Sequence, residues 1–398
     1  MARQDFAGTT VRLARRVVIA AAFAAVVAVL FHLFAQDFPV ALRFEHQLAD
    51  WRTGLLSDRR AAQHPGIAVV LVNDDTLKGL PYTSPVDRGI LARLVERLDA
   101  TGVKAIGLDF LFERPTEPAK DEALRQAIRA AMVPVILAGA DERAVGLSDE
   151  ERDYQRDFIA ATGRPAGYVN LDEDRDDVVR RRLAPVPGGD FPRSFAALIA
   201  AVDGKVDDHP DGRMAWLRRP VNNADTFFTV TGTLVLADNA VGTAVRSQLK
   251  GRLVLVGGGF PDRDLHRTPL FAHDGELGSN KVHGVVLHAQ ALAQILDQRS
   301  VVELADWPVV LLLSFLGFTL GVNFHQRGFN WITGVLSTGL LIGLDLLLFW
   351  KLRWIVPYLA ASTAWFAGAF SGYVAGRLIA VTSGRGLKAD TQAGVRKP

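Results

Sequence analysis

Four long apolar runs constrain this chain more than any other feature, and they lie at its two ends. Near the start, 17–35 is apolar throughout apart from His32; near the end, 307–324, 330–350 and 354–376 follow one another with short breaks. Each approaches or exceeds the roughly 18–20 residues an α-helix needs to cross a hydrocarbon core. Residues 36–306 between them have ordinary globular composition. Hydrophobic residues make up 49% of the chain, a normal share, so it is their clustering that matters. The expected organisation is a basic N-terminus (1–16), a first membrane helix (17–35), a large extramembrane domain (36–306), three membrane helices (307–324, 330–350, 354–376) and a basic tail (377–398).

Charge is distributed in step with this. Arg3, Arg12, Arg15 and Arg16 against Asp5 leave the first 16 residues at +3, and the tail after Gly376 stands at +4. Residues 307–376 carry +2, so an overall +2 leaves 17–306 at −7. The basic ends therefore read as topology markers and not as a nucleic-acid surface; no nucleic-acid partner is expected. With cations retained inside, both termini are cytoplasmic and the middle domain lies outside, the short 325–329 segment falling inside. Leu33-Phe34-Ala35 offers a poor cleavage site, so the first helix reads as an uncleaved anchor. The chain has no cysteine, so the outer domain must rely on its core and not on disulfides.

Within the middle domain, Ile67–Val72 is a short branched run that reads as a buried strand ending at Asn73-Asp74-Asp75. Residues 87–100 carry helical apolar spacing and stop at Gly102; 104–108 is a second strand ending in Asp109; 120–131 is a second helix; 133–137 is a third strand. A later strand at 252–256 runs into Gly257-Gly258-Gly259, and a helix follows over about 282–298. Residues 139–165 read as a surface helix or excursion, and 44–56 as a lead-in segment. The alternation predicts an α/β domain with a mostly parallel sheet.

Ligands of open parallel sheets sit beyond the carboxyl ends of the strands. Asp74 and Asp75, Asp109, and the Asp262/Asp264 pair all fall at such ends, and Arg88 opens the first crossover helix. Asp74, Asp75, Arg88, Asp109 and Asp264 are therefore the candidate binding residues, for a cation, an amine or another hydrogen-bonding solute; capping of turns and helices is the competing role for these aspartates. The triple glycine lacks the Gly-Lys-Ser/Thr of a phosphate loop and reads as a tight turn. His266, His273, His283 and His288 with Asp264 and Asp274 match no recognised zinc spacing, and no nucleophile motif occurs, so no metal, cofactor or catalytic residue is expected.

The C-terminal runs carry small residues at four-residue intervals: Gly317 and Gly321, Gly339 and Gly343, then Ala360, Ala364, Gly368, Gly372 and Gly376. Such stripes let membrane helices touch, within the chain or against another protein. Asp345 lies inside the third run, where a carboxylate either serves function or pairs with Lys351 or Arg353 as an anchor.

Several stretches, taken in order, resemble the CHASE sensor domain of the second type. They are Asp50-x-Arg52; Val72-Asn73-Asp74-Asp75-Thr76-Leu77; Pro85-x-x-Arg88; Ile106-Gly107-Leu108-Asp109-Phe110-Leu111-Phe112; and Gly167-Tyr168-Val169-Asn170 before Asp172 and Arg180. Phe191-Pro192-Arg193-Ser194-Phe195, the run from Leu249 to Gly257, Asp264 with Thr268-Pro269, and Gly284-Val285-x-x-His288-Ala289 continue the pattern, which covers about 40–300. The Arg218–Asn223 region departs from the family's Asn-containing strand. The resemblance implies an extracytoplasmic sensory domain of bacterial receptors, usually followed by three membrane helices, with an unidentified ligand. Family members often carry a cyclase or kinase domain after the last helix, whereas this sequence stops about 22 residues beyond it. The expectation is thus a non-enzymatic receptor in the bacterial inner membrane that signals to a partner in trans or self-associates through its Gly-rich helices. The alternative is a membrane scaffold for an envelope or secretion complex.

Overall fold

The computed structural model describes residues 39–393 except 145, 273–280 and 325–330, together with positions 18, 19, 22, 23, 26 and 30. Side-chain surroundings are further undescribed at 39–42, 271–272, 323–324, 331–335 and 378–393. The chain divides into two compact units, one formed by 1–52 with 302–398 and one by Thr53–Val301.

The Thr53–Val301 unit is built on six parallel strands: β1 (Ile67–Val72), β2 (Ala105–Asp109), β3 (Val135–Gly139), β4 (Ala166–Tyr168), β5 (Phe228–Thr231) and β6 (Leu253–Gly258). Their spatial order is β5-β1-β6-β2-β3-β4. β6, last in sequence, is thus inserted between the first two strands.

Alternate residues of the central strands feed opposite cores. Ala68, Val70 and Val72 of β1, with Ile106, Leu108, Val254 and Val256, face the helices α2 (Arg88–Thr101), α3 (Pro118–Ala130) and α4 (Asp149–Thr162). Ile67 and Val69, with Ala105, Ile136, Leu253 and Leu255, face α5 (Phe195–Val202) and α8 (Gly284–Leu296). Two short helices, α6 (Gly232–Leu236) and α7 (Ala240–Leu249), add Val235 and Leu249 to the first core. Burial on both faces is why these strands read as continuous apolar runs. Each fully buried Leu or Val contributes about 1.5–3 kcal/mol by leaving water.

Local chemistry sets the helix ends. The Asp87 side chain accepts from the Ile90 amide, and Gly102, at φ 73°, stops α2 in the left-handed conformation. The charged stretch 139–165 resolves into α4, opened by a reciprocal cap between Ser148 and Glu151 and closed by Gly163 at φ 65°. The triple glycine is no tight turn. Gly257 and Gly258 are the last residues of β6, and a Cβ on Gly257 would lie 2.5 Å from the Val285 Cβ, so the glycine lets α8 press onto the strand.

The other unit contains α1 (Pro39–Leu56, up to Arg52), α9 (Asp306–Phe324), α10 (Trp331–Leu352) and α11 (Tyr358–Ala393). α9 and α11 touch backbone to backbone. A Cβ on Gly317 would meet the Trp365 carbonyl at 2.5 Å, and one on Gly321, Gly368 or Gly372 would collide with the carbonyl oxygens of Ala369, Ser314 or Phe318. Gly376 is buried on the same helix. Gly339 and Gly343 of α10 differ: among the described residues nothing lies within 4 Å of a Cβ at either, so no packing partner is seen for them there. The partner of Asp345 also differs from expectation. Arg52 of α1 pairs with it, with the guanidinium 5.4 Å from the Phe349 ring centre, while Lys351 rests on Trp350. A loop-proximal cation cannot compete with an arginine delivered into the same buried spot. Glu45 of α1 accepts from the Tyr358 and Leu359 amides at 2.7 and 2.6 Å, capping α11.

Among the described residues no helix is long and apolar enough to cross a membrane. The small residues that let α11 dock against α9 also dilute its apolarity. The first run, 17–35, lies outside the described residues but for a few positions, as do 325–329 and the terminal segments 1–16 and 394–398.

Candidate functional site

Asp109 closes β2, and in the sheet register it lies opposite Gly257 of β6. Two neighbouring central strands thus end side by side, where a parallel sheet opens its ligand crevice. The loop after β6 brings in Asp264, held at φ 51°. Its carboxylate and its own carbonyl both accept from the Gly284 amide at 3.1 Å, which fixes the loop to the first turn of α8. A side chain at 284 would strike that carboxylate, since a Cβ there would lie 2.5 Å from an Asp264 oxygen. One turn further along α8, His288 reaches the strand end, with Nε2 3.8 Å from an Asp109 oxygen. Gly284-Val285-x-x-His288 therefore has a physical reading: the glycine admits Asp264, Val285 packs beneath Gly257, and the histidine meets Asp109.

Asp109 and His288 are each only 10% exposed at the side chain. At 3.8 Å they are too far apart for a hydrogen bond to each other, and Phe195 stands edge-on to the imidazole at 5.7 Å. Outside this pair, His266 lies between two carboxylates, with Nδ1 2.5 Å from Glu173 and Nε2 2.8 Å from Asp264. His266 is held on strand Leu265–Arg267, which runs antiparallel to Lys281–His283.

Proton affinities follow from these surroundings. Burial, reinforced by the nearby Asp264 charge and opposed by His266, pushes Asp109 up to about 8. Burial pulls His288 down to about 4 against the attraction of Asp264. Burial also works against charge on His266, but its bonds to Asp264 and Glu173 prevail and raise it. His283 is lowered by burial. At neutral pH the inner pair is thus an uncharged carboxylic acid beside an uncharged imidazole.

This arrangement predicts a pH dependence of stability. The folded state holds a proton on Asp109 that the unfolded chain has released, so Asp109 makes stability fall as pH rises from about 4 to 8. His288 acts oppositely between about 4 and its ordinary 6.5, and above that Asp109 stands without this offset. His266, whose affinity is raised, adds loss of the same sign above 6.5. Denaturant unfolding should lose about 1–2 kcal/mol between pH 6.5 and 8. Asp109→Asn should flatten most of that slope; an equally steep slope in the variant would contradict the assignment.

The remaining sequence candidates divide. Asp74 and Asp75 are exposed in a turn closed by Asn73, whose side chain accepts from the Thr76 amide at 3.1 Å. Asp262 is exposed beside Arg263. Arg88 is not at the crevice rim: it is 3% exposed, pairs with Asp121 at 2.7 Å, bonds Tyr154 and the Arg114 carbonyl, and lies against Phe112 and Phe158. Its position at the start of α2 turns its side chain inward to a buried carboxylate, and that use is structural. His273 and Asp274 lie outside the described residues. Among the described residues no three crevice carboxylates or imidazoles bring ligand atoms within 4.8 Å of one another. Glu173 was not legible in advance; the Asp172 of the same short strand, two residues beyond Asn170, was its only nearby signal.

A model of the CHASE2 domain matches residues 22–322. No curated protein and no solved structure matches the chain. The matched span covers the whole parallel sheet, the Asp109–His288 crevice and most of α9. The chain belongs to the CHASE2 domain family, a family of extracytoplasmic sensory domains.

Proposed function

We propose that the α/β unit of this protein senses a small solute in the Asp109–His288 crevice. The signal then passes through membrane-embedded helices α9–α11 to a partner protein. The observation that carries the sensory reading is a pair of nine-tenths-buried polar side chains in a sensory domain family, Asp109 at the carboxyl end of a central strand and His288 of α8, which lie 3.8 Å apart and make no hydrogen bond among the described residues. A buried polar group without a partner costs about 1–3 kcal/mol, a cost a ligand can relieve. The role is one of binding, not of catalysis.

Membrane anchoring is supported by what the C-terminal helices leave uncovered. Leu312, Leu316 and Leu320 of α9 are exposed at four-residue spacing, as are Leu336, Leu340 and Leu344 of α10. Continuous leucine stripes of this kind suit lipid, not water. The apolar runs 307–324 and 330–350 also continue through positions outside the described side chains. In this reading both termini face the cytoplasm and the α/β unit lies outside the inner membrane. The backbone contact of α9 with α11 is the element a signal would shift. The test is whether disulfide formation between cysteines placed at Leu313 and Ala364, which share one cluster, responds to external solutes, and whether the response needs Asp109.

A further inference from the structure

The crevice has a specific hydrogen-bonding polarity, and it narrows the class of solute. Asp109 and His288 sit 3.8 Å apart with no hydrogen bond between them. That is a separation at which a single donor nitrogen, about 2.8 Å from each, bonds both at once. When the imidazole is neutral and the carboxyl ionised, both inward atoms accept, and neither donates to the other. The groups around them favour positive charge: Asp264 and Glu173 are two carboxylates with His266, whose proton affinity they raise, set between them, and Asp109 adds a third when it ionises. His283, on the neighbouring strand, is held toward its neutral form. An anionic ligand meets Asp264 first. A metal ion would find no three converging ligand atoms in the crevice among the described residues. A primary ammonium carries what the pair lacks, namely one positive charge and several N–H donors on one atom.

We infer that Asp109 and His288 form the recognition point for a primary ammonium group, which bridges the Asp109 carboxylate and the His288 Nε2 while Asp264 supplies further compensating charge. This rests on the sensory reading for its biological meaning but not for its chemistry. The proton balance is explicit. Before binding, Asp109 holds a proton at pH 7 because burial and Asp264 raise it to about 8. The incoming R–NH3+ replaces that proton, which leaves to solvent, so charge in the crevice is conserved. His288, lowered to about 4, stays neutral and keeps its acceptor lone pair. Asp109 and His288 are each nine-tenths buried at the side chain, so a small probe is the appropriate one.

The experiment is calorimetric titration of the full-length protein in lipid nanodiscs with methylammonium chloride, in two pH 7 buffers of different ionisation enthalpy. Saturable binding with release of about one proton per site is expected. Tetramethylammonium, which has the charge but no N–H donor, should give no saturable heat, nor should sodium chloride. Asp109→Asn is close to isosteric and should weaken binding about tenfold or more and abolish the proton release. His288→Gln is the second variant, read with a thermal unfolding check, and should weaken binding without removing proton release. Absence of saturable methylammonium binding overturns the proposal, as does equal binding of tetramethylammonium or unaltered binding in Asp109→Asn. Methylammonium binding that leaves Leu313–Ala364 crosslinking unchanged supports the ammonium site and counts against the sensory reading instead.

Discussion

Replacing Arg88 by Met should destabilise the α/β unit by about 3–5 kcal/mol, the largest single-site effect expected in it. The reason is what the substitution leaves behind. Asp121, 5% exposed at its side chain, would keep the Thr116 amide bond at 3.0 Å and the Thr116 hydroxyl, but would lose its cation. Those bonds and the Arg88 charge together hold the Asp121 carboxyl below its usual range against burial. The aromatic walls formed by Phe112 and Phe158, stacked at 4.4 Å, would also lose the guanidinium they flank. Arg88→Lys should recover only part of the loss, because a point charge cannot reach Asp121, Tyr154 and the Arg114 carbonyl together. Combining Arg88→Met with Asp121→Leu should restore most of it, since an apolar pair carries no unpaired charge. Denaturant unfolding of the three variants reads the effect. A single variant as stable as the double would show that the pair contributes nothing.

The second large effect belongs to the helical unit. Arg52 and Asp345 are 3% and 11% exposed and meet across 293 residues of sequence. Arg52→Leu should strand Asp345 among apolar neighbours and lower stability by about 3–5 kcal/mol, read as a fall in the thermal unfolding midpoint of the solubilised protein. Arg52→Leu with Asp345→Leu should return most of the midpoint. Lys351 and Arg353 should not rescue the single variant, because Lys351 is stacked on Trp350 at 3.8 Å and Arg353 bonds the Phe349 and Trp350 carbonyls. A midpoint unchanged by Arg52→Leu would mean that Asp345 finds another partner or is neutral there.

These two arginines also mark where sequence reasoning stops. The strands β1, β2, β3 and β6 were legible because both their faces are buried and their apolar runs are unbroken. Helix α2 announced itself through Asp87 and Gly102. β4 and β5 did not: one has three residues, and the other is a half-buried edge strand of Phe-Thr-Val-Thr. In the 139–165 stretch, the Ser148-x-x-Glu151 box was a readable start signal for α4 hidden among charges.

The site divides the same way. Strand-end position is a property of local sequence, so Asp109 and Asp264 could be named in advance. Which way a side chain turns from the start of a helix is decided by packing, and that is why Arg88 reads as a rim residue yet lies in the core. The Asp109–His288 pairing needs the insertion of β6 beside β2, a register that no local pattern displays. The same holds for Arg52 and Asp345, whose motif residues are visible separately but whose meeting is tertiary.

The sensory claim rests most directly on one measurement. The chain has no cysteine of its own, so a protein carrying Leu313→Cys and Ala364→Cys reports α9–α11 packing without background. Its rate of disulfide formation is followed in intact cells, first in plain buffer and then in conditioned growth medium, with and without Asp109→Asn. The account predicts that the rate differs between the two media and that Asp109→Asn makes the two rates equal. A rate that is the same in both media without the substitution, or a difference that survives Asp109→Asn, would contradict it.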